Sequence, residues 1–320
     1  MIKSLVSLSD DDVRAILTPD VARRVVRDAF IAASRGTGRN FPVVRETLEH
    51  AIFGVKSGVD SHAGVLGLKA GGAFPKNVPL GRQAHQSSVV LFDFDTGHPV
   101  ALVAGNAITA LRTAAAAALS IELMARPDSR KLLIVGAGAQ AETHLRAALK
   151  VRNFDQVYAW SRDAGLSEDL ARRVADVTDL RLQPDLSIAS DCDVIITLTP
   201  STEAMIGLEQ VSRGTHLVCM GADTVGKQEV AAELVAASRV FTDDIDQSLT
   251  IGECQSAFRA GLIGRDHILG TLGDVLLGEK AGRVNADEIT LFDGTGVALQ
   301  DLLAAAFVLQ ACQDRAAPGV

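Results

Sequence analysis

Hydrophobic and polar positions follow two different patterns along this chain. In the first third, helical periodicity at residues 10–17 and 20–34 precedes short β-favouring runs at 51–55, 65–70, 87–92 and 100–103. The turn sequence Asp95-Thr96-Gly97 joins the last two runs, and strands joined by such turns form antiparallel sheets. The first third therefore predicts a small α+β unit.

From residue 106 onwards, strand and helix alternate strictly. A long Ala-rich helix is predicted at 108–124, and strands are predicted at 131–135, 156–160, 193–198, 215–220, 239–242 and 288–292. This alternation is typical of a parallel α/β sheet. We predict a first domain over 1–115 and a second over 116–299, with a final helix near 297–310 that crosses back so that 300–320 joins the first domain.

Composition narrows the classes of partner. The 320 residues suit about two domains. Lys and Arg total 31 against 39 Asp and Glu, a net charge of −8, which argues against nucleic acid or an anionic membrane as a partner. Four widely spaced cysteines without a C-x-x-C motif predict neither a metal site nor disulfides. The chain has no leader-like start and no run of about 18 apolar residues, so we expect a cytoplasmic protein.

A glycine-rich loop follows the predicted strand 131–135 directly. Its sequence, Gly136-Ala137-Gly138-Ala139-Gln140-Ala141, is a G-x-G-x-x-A motif that opens a predicted helix. The first glycine suits a tight turn, the second lets the backbone approach a pyrophosphate, and the alanine lets the helix pack closely on the strand. Strand, loop and helix together predict dinucleotide binding, the alternative being a Gly-rich turn in another α/β domain.

The end of the next strand bears on the choice between NAD and NADP. An acidic residue there would hold the ribose hydroxyls of NAD, but this chain has Ser161 and Arg162, with Asp163 one residue later. Arg162 suits a 2′-phosphate, yet it would equally stack on adenine or point to solvent. These residues leave the choice open.

Several cations occupy apolar surroundings. Arg112 has apolar neighbours three and four residues away on its helix, so burial requires either an internal carboxylate or an anionic ligand. Lys69 ends an apolar strand, where it either serves a site or reaches solvent past the strand end. Arg45 and Lys56 add two cations to the same domain.

Asp223 follows a predicted parallel strand at its carboxyl end, where open α/β sheets bind ligands. The alternatives are that Asp223 caps the segment starting near Gln228 or pairs with Lys227. Asp243, Asp244 and Asp246 match no metal-binding spacing and are better explained as caps of the following helix.

Five blocks of sequence together resemble the ornithine cyclodeaminase and μ-crystallin family over nearly the whole chain. They are Asp95-Thr96-Gly97 with Pro99, Thr109-Ala110-Leu111-Arg112-Thr113-Ala114-Ala115, the Gly136 loop, Gly221-Ala222-Asp223, and Phe292-Asp293-Gly294-Thr295-Gly296. The resemblance implies a Rossmann-type NAD(P)-binding domain, a smaller domain that binds substrate and forms a homodimer, and chemistry at the carbon of an imine or amine beside a carboxylate.

The resemblance also implies roles for individual residues. Arg45, Lys69 and Arg112 match positions that hold the substrate carboxylate, Lys69 is also placed for proton transfer, and Asp223 matches an acid near the substrate nitrogen. The positions expected to contact the cofactor are Arg112, Thr113, Gly136, Gly138, Ala139, Gln140, Ser161, Arg162, Thr199, Met220 and Gly294.

One departure from the family pattern concerns the substrate. Ornithine cyclodeaminases carry a glutamate eleven residues after the carboxylate-binding arginine, and this chain has Lys56 there. Two like charges about 4 Å apart at an effective dielectric near 20 repel by ~4 kcal/mol, roughly a thousandfold in affinity. If Lys56 faces the site, it favours an α-imino dicarboxylate, and the resemblance then implies reduction of iminosuccinate to aspartate with NADH.

Other activities of the family stay open. They are ornithine cyclodeaminase, pyrroline-2-carboxylate or ketimine reductase, alanine dehydrogenase, and binding of NAD(P)H without turnover as in μ-crystallin. We expect NAD(H) in preference to NADP(H).

Overall fold

The structure is a computed structural model that describes residues 5–316. The chain divides into two compact units, one formed by Met1–Arg112 with Val297–Val320 and the other by Thr113–Gly296. The sequence-based boundaries at 115 and 300 stay predictions, and their outermost parts, 1–4 and 317–320, lie outside the described residues.

The elements follow one another along the chain as helices and strands with short 3₁₀ turns. The strands are β1 Val6–Leu8, β2 Gly38–Asn40, β3 Val44–Leu48, β4 Ala51–Asp60, β5 Val65–Ala73, β6 His85–Phe92, β7 Pro99–Ala104, β8 Lys131–Val135, β9 Gln156–Trp160, β10 Leu180–Leu182, β11 Val194–Thr197, β12 His216–Cys219, β13 Arg239–Thr242, β14 Ile268–Thr271 and β15 Thr290–Asp293. The helices are α1 Asp10–Ile16, α2 Pro19–Ser34, α3 Gly105–Met124, α4 Ala141–Val151, α5 Ala164–Val174, α6 Ala232–Ala237, α7 Ile245–Thr250, α8 Gln255–Arg259, α9 Leu272–Leu276 and α10 Ala298–Ala316.

The first unit is built on a seven-stranded sheet. Its order is β1-β7-β6-β5-β4-β2, with β3 also pairing with β4, and every pair is antiparallel except β1 with β7. The predicted strands are present, but β4 runs five residues further than the expected 51–55. The short strands β1, β2 and β3 were not predicted, because three to five residues with mixed polarity carry no clear two-residue period.

The first two helices form where their periodicity predicts, and a side chain caps each of them. Ser9 caps α1 in a capping box with Asp12, and Thr18 caps α2 with Pro19 in its first turn. Each cap satisfies backbone N–H groups that would otherwise have no partner.

Glycines let α10 lie against one face of this sheet. A side chain at Gly67 would place its Cβ 2.9 Å from Cδ2 of Leu302, and one at Gly58 would lie 3.4 Å from Cβ of Ala298. Gly58 and Gly67 pair directly across β4 and β5, so they share this inner face. The close approach brings the first turn of α10 to the inner face of the sheet.

The second unit is a Rossmann-type α/β unit. Its eight-stranded sheet is parallel throughout, in the order β10-β9-β8-β11-β12-β15-β13-β14. The connection reverses direction at β8 and β11, and dinucleotides bind outside the carboxyl ends of strands at such a point. The predicted α/β fold class is confirmed, although β10 and β14 were not predicted.

Helix α3 is long and apolar enough to cross a membrane by length and composition, the one such helix within residues 5–316. However, 78% of its most apolar 18-residue window is buried. The run Ala114–Ala118 contributes small side chains to that buried surface. Such burial is typical of the core helix of a folded protein.

Candidate active site and dinucleotide-binding site

Three predicted substrate-binding cations share the inner face of the first unit's sheet. Lys56 on β4 lies directly opposite Lys69 on β5, and Arg45 on β3 lies opposite Gly54, two residues before Lys56. Directly paired residues share a face, and alternate residues of a strand return to it. Lys56 and Lys69 are 7% and 6% exposed, so both ammonium groups are buried.

Asp301 on α10 is the carboxylate that compensates this charge. Its Oδ1 accepts a hydrogen bond from Lys69 Nζ at 2.9 Å and another from Arg112 Nε at 3.1 Å. Arg112 also donates from Nη1 to Gln300 Oε1 at 2.9 Å, and Lys69 Nζ donates to Thr109 Oγ1 at 3.3 Å. Two of the guanidinium nitrogens of Arg112 are therefore fixed by neighbouring residues of one helix turn.

The electrostatics of Asp301 follow from its surroundings. Burial opposes ionisation, but the charges of Arg112 and Lys69, with a smaller contribution from Lys56, hold the pKa of Asp301 below its usual range. Asp301 is thus an anion inside a group of cations. Because Lys56 acts on the same carboxylate as Lys69 and Arg112, it belongs to this cluster.

The contacts of Asp301 decide between the alternatives that the sequence left open for Arg112 and Lys69. Arg112 has an internal carboxylate, which was one of the two partners considered for it. The interpretation of Lys69 as a lysine that reaches solvent past the strand end is wrong, because β5 continues four residues beyond it and α10 covers its face. Thr113, the next residue of α3 after Arg112, is also buried.

The glycine-rich loop of the second unit has the geometry that a dinucleotide requires. Gly136 has a φ of +100°, in the region that favours glycine, and a Cβ there would lie 2.9 Å from Cγ2 of Thr199. A Cβ at Gly138 would meet no atom within 4 Å, so the space in front of it is open. Gly138 and Ala139 are exposed, and Gln140 precedes the N-terminus of the 11-residue helix α4. Unpaired N–H groups at that end suit a pyrophosphate.

Residues after β9 present hydroxyl and guanidinium groups. Ser161 is half-buried and Arg162 exposed. Asp163 caps α5, its Oδ1 accepting the Gly165 N–H at 2.9 Å, while its own N–H donates to Ser161 Oγ at 3.3 Å. The Asp163 carboxylate is therefore engaged in the cap, and the Ser161 hydroxyl and Arg162 guanidinium lie beside it after β9.

The ends of β12 and β15 lie close together. A side chain at Gly294 would place its Cβ 2.5 Å from Sδ of Met220, and the Gly294 N–H donates to the carbonyl of Cys219 at 2.9 Å. Asp223 follows in the next loop, and its Oδ1 accepts a hydrogen bond from Lys227 Nζ at 2.8 Å. The pairing of Asp223 with Lys227 that the sequence offered is therefore present. The side chain of Asp223 is 36% exposed.

The three aspartates after β13 have separate partners, and the predicted cap of the following helix is present at Asp244. Asp244 caps α7, Asp246 pairs with Arg265, and Asp243 accepts hydrogen bonds from Thr295 and Gly296. Within the described range, no three His, Cys, Asp or Glu side chains group as metal ligands.

Sequence reasoning missed Asp301 and Gln300. Their signal was weak but present, because they are an adjacent polar pair within the otherwise apolar sequence from Ala298 to Val308. A polar pair buried on an apolar helix needs partners, and here the partners are Arg112 and Lys69.

Comparisons with known proteins identify the family of the chain. Residues 6–316 match the model of the ornithine cyclodeaminase/mu-crystallin family. Iminosuccinate reductase of Paracoccus denitrificans is 42% identical over 306 residues, 95% of each chain. The crystal structure of iminosuccinate reductase from that organism in complex with NAD+ has a TM-score of 0.89 at 40% identity, covering 98% of both chains. An archaeal alanine dehydrogenase dimer with bound NAD has a TM-score of 0.92 at 29% identity, also over 98% of both. The chain belongs to the ornithine cyclodeaminase/mu-crystallin family.

Proposed function

We propose that this protein is an NAD(H)-dependent imine reductase whose substrate is iminosuccinate and whose product is aspartate. The observation that carries the proposal is the placement of Lys56 directly opposite Lys69, with both side chains buried in the Asp301 cluster. A substrate held there by its α-carboxylate meets a further cation, which favours a second carboxylate over an amino group.

Carboxylate binding is assigned to Arg45, Lys56 and Arg112. The guanidinium of Arg112 is oriented by hydrogen bonds to Asp301 and Gln300. A guanidinium held in this way loses little entropy when it binds a carboxylate.

Cofactor binding is assigned to the second unit. Gly136 and Gly138 give the turn and the open space for a pyrophosphate, and Ser161 with Arg162 meet the adenosine end. NADH supplies the hydride of the reaction when it is bound. The two structural relatives carrying NAD+ or NAD support NAD(H) in preference to NADP(H).

The chemistry needs one hydride and one proton. The hydride adds to the imine carbon and forms the new C–H bond, the π electrons of the C=N bond move to nitrogen, and NAD+ and aspartate result. Lys69 supplies the proton from its ammonium form, which Asp301 favours. The Asp223 carboxylate stabilises the protonated imine, whose positive charge makes the carbon electrophilic.

A homodimer is part of the proposal. The outer face of the first unit's sheet carries Leu66, Leu68 and Val90, which are half-buried, beside Leu102, which is 38% exposed. An apolar face of this kind is typical of a subunit interface. We expect Leu68→Lys to convert the dimer into a monomer in sedimentation analysis, and an unchanged sedimentation coefficient would exclude this face as the interface.

A substrate panel tests the function. Oxaloacetate with ammonium, pyruvate with ammonium and pyrroline-2-carboxylate are assayed with NADH and NADPH, and aspartate, alanine, proline and ornithine with NAD+ and NADP+. The highest kcat/KM is expected for oxaloacetate with ammonium and for aspartate. Conversion of ornithine into proline would refute the assignment of Lys56. Binding of NADH without its oxidation by any substrate would point instead to a binding protein.

A further inference from the structure

Glu229 is a heavily hydrogen-bonded carboxylate of the second unit that has no role in the proposed reaction. Glu229 lies in the segment of the chain that connects β12 to α6, and its side chain is fully buried. It accepts four hydrogen bonds, from Thr197 Oγ1 at 2.7 Å, Thr199 N at 2.6 Å, Thr199 Oγ1 at 2.8 Å and Gly221 N at 2.8 Å. Thr197 ends β11 and Thr199 follows it by two residues, while Gly221 lies two residues after β12, so one side chain joins the segments at two strand ends.

These strand ends approach each other unusually closely. A side chain at Gly221 would place its Cβ 2.2 Å from the carbonyl oxygen of Thr199 and 2.5 Å from Cδ of Glu229. Thr199 also lies against Gly136 of the dinucleotide loop. Thr199 is therefore the point where the ends of β8, β11 and β12 meet, and Glu229 holds it there.

Glu229 is itself held in place. Glu253 Oε1 accepts the backbone N–H groups of Glu229 and Val230, each at 2.8 Å. Burial raises the pKa of both carboxyls, and for Glu253 the neighbouring charge of Glu229 raises it further. The four donors around Glu229 favour its anionic form, so the proton is expected on Glu253.

We propose that Glu229 is a positioning residue, which fixes Thr199 and the loop 221–223 in the arrangement that receives the cofactor and presents Asp223. The inference rests on the proposed function for the roles of Thr199 and Asp223. The hydrogen bonds that carry it belong to the protein alone, so the two can fail separately.

Charge, and not only shape, matters at this position. Glutamine has the shape of glutamate, but each carboxylate oxygen of Glu229 accepts one backbone N–H, from Thr199 or from Gly221. The amide NH₂ would therefore face an N–H donor whichever way it points. Glu229→Gln therefore breaks hydrogen bonds to at least one of the two strand ends while the core volume is conserved. Glu229→Asp keeps the charge and retracts it by one methylene.

The experiment compares Glu229→Gln and Glu229→Asp with Glu233→Gln, an exposed glutamate on α6 that serves as the matched control. Amide hydrogen exchange is measured on each protein without cofactor, and the Kd values of NADH and AMP are then measured by titration. AMP reports the adenosine end of the site at β8 and β9, and NADH reports the whole of it.

We expect Glu229→Gln to accelerate amide exchange in peptides containing 197–199 and 221–223. The same variant should raise the Kd of NADH at least about tenfold, while the Kd of AMP changes by no more than about twofold. Glu229→Asp should recover part of the NADH affinity, and Glu233→Gln should match the wild type. If the affinities for NADH and AMP fell equally, or if both Glu229 variants failed to fold, Glu229 would be merely structural and the proposal would be overturned. Wild-type exchange and affinity in Glu229→Gln would overturn it as well. None of these readouts requires turnover of an imine, so they stand whichever substrate the protein uses.

Discussion

Lys69 and Asp301 lie 232 positions apart in the sequence, yet the Nζ of the lysine is 2.9 Å from Oδ1 of the aspartate. Both side chains are buried, at 7% and 0% exposure. Removing one member of a buried ion pair typically costs about 3–5 kcal/mol, whereas a well-packed apolar pair would be about as stable. Stability alone therefore does not explain the pair, and in the proposed mechanism Asp301 favours the ammonium form of Lys69 that supplies the proton.

Replacing Asp301 tests that effect. In Asp301→Asn, Lys69 loses the anionic acceptor of its 2.9 Å hydrogen bond while Lys56 stays directly opposite it, so its ammonium form becomes less stable. Reduction needs that form, and the alkaline limb of the pH profile of kcat/KM should move to lower pH by about one unit or more. Asp314→Asn, at an exposed position of the same helix, should leave the profile unchanged. A uniform loss of activity at every pH would reduce Asp301 to a structural residue.

Replacing Lys56 tests the choice of substrate. Lys56→Met keeps the length of the side chain and removes its charge. The KM for iminosuccinate should rise by about tenfold or more, since one charge-assisted contact is lost, while kcat changes little. The same variant should gain or keep activity with pyruvate and ammonium, which form an imine with a single carboxylate. If kcat/KM fell equally for both substrates, Lys56 would have no role in discriminating between them.

The residues after β9 give a prediction about the cofactor. In Ser161→Asp, a carboxylate at the ribose position repels a 2′-phosphate but accepts ribose hydroxyls. Activity with NADH should persist and any activity with NADPH should disappear, as measured from kcat/KM with each cofactor. A wild-type kcat/KM for NADPH tenfold above that for NADH, a difference of about 1.4 kcal/mol, would reverse the assignment.

A buried acid at the end of β15 predicts how stability depends on pH. Burial raises the pKa of Asp293 from 3.8 to about 7, so the folded protein binds this proton more tightly than the unfolded chain. Below pH 4 the Asp293 carboxyl is protonated in both the folded and the unfolded chain, so it does not change the free energy of unfolding. As pH rises from 4 to 7, that free energy falls by roughly 4 kcal/mol in all.

Asp293→Asn removes that loss of stability. Relative to the wild type, its free energy of unfolding in urea should increase between pH 4 and pH 8, whereas the exposed control Asp155→Asn should follow the wild type. Parallel curves for Asp293→Asn and the wild type would show that Asp293 does not titrate in this range.

The parts of the site that sequence could predict are those that depend on residues close together in the chain. The Gly136 loop and its flanking strand and helix depend on local spacing, and the structure has all of them. Arg112 was identified as a cation in need of a partner because its helical neighbours are apolar.

What sequence could not predict depends on distant partners. Asp301 meets Arg112 across 189 positions, and no local pattern specifies that pairing. Lys56 could not be placed, because the β-favouring run ends at residue 55 while β4 continues to Asp60 and pairs with β5 throughout. Glu229 lies in a segment without regular structure, so its burial depends on the two strand ends it joins.

The central claim, that hydride reaches the imine carbon of a dicarboxylate, is tested most directly by isotope transfer. The protein is supplied with oxaloacetate, ammonium and NADH carrying deuterium at the transferred position of C4, and the products are identified by mass spectrometry and NMR. We predict aspartate with one deuterium at Cα, formed at the rate of NADH oxidation and lost by at least about a hundredfold in Lys69→Ala. Deuterated malate, which would mean reduction of the ketone, or unlabelled aspartate would contradict the account.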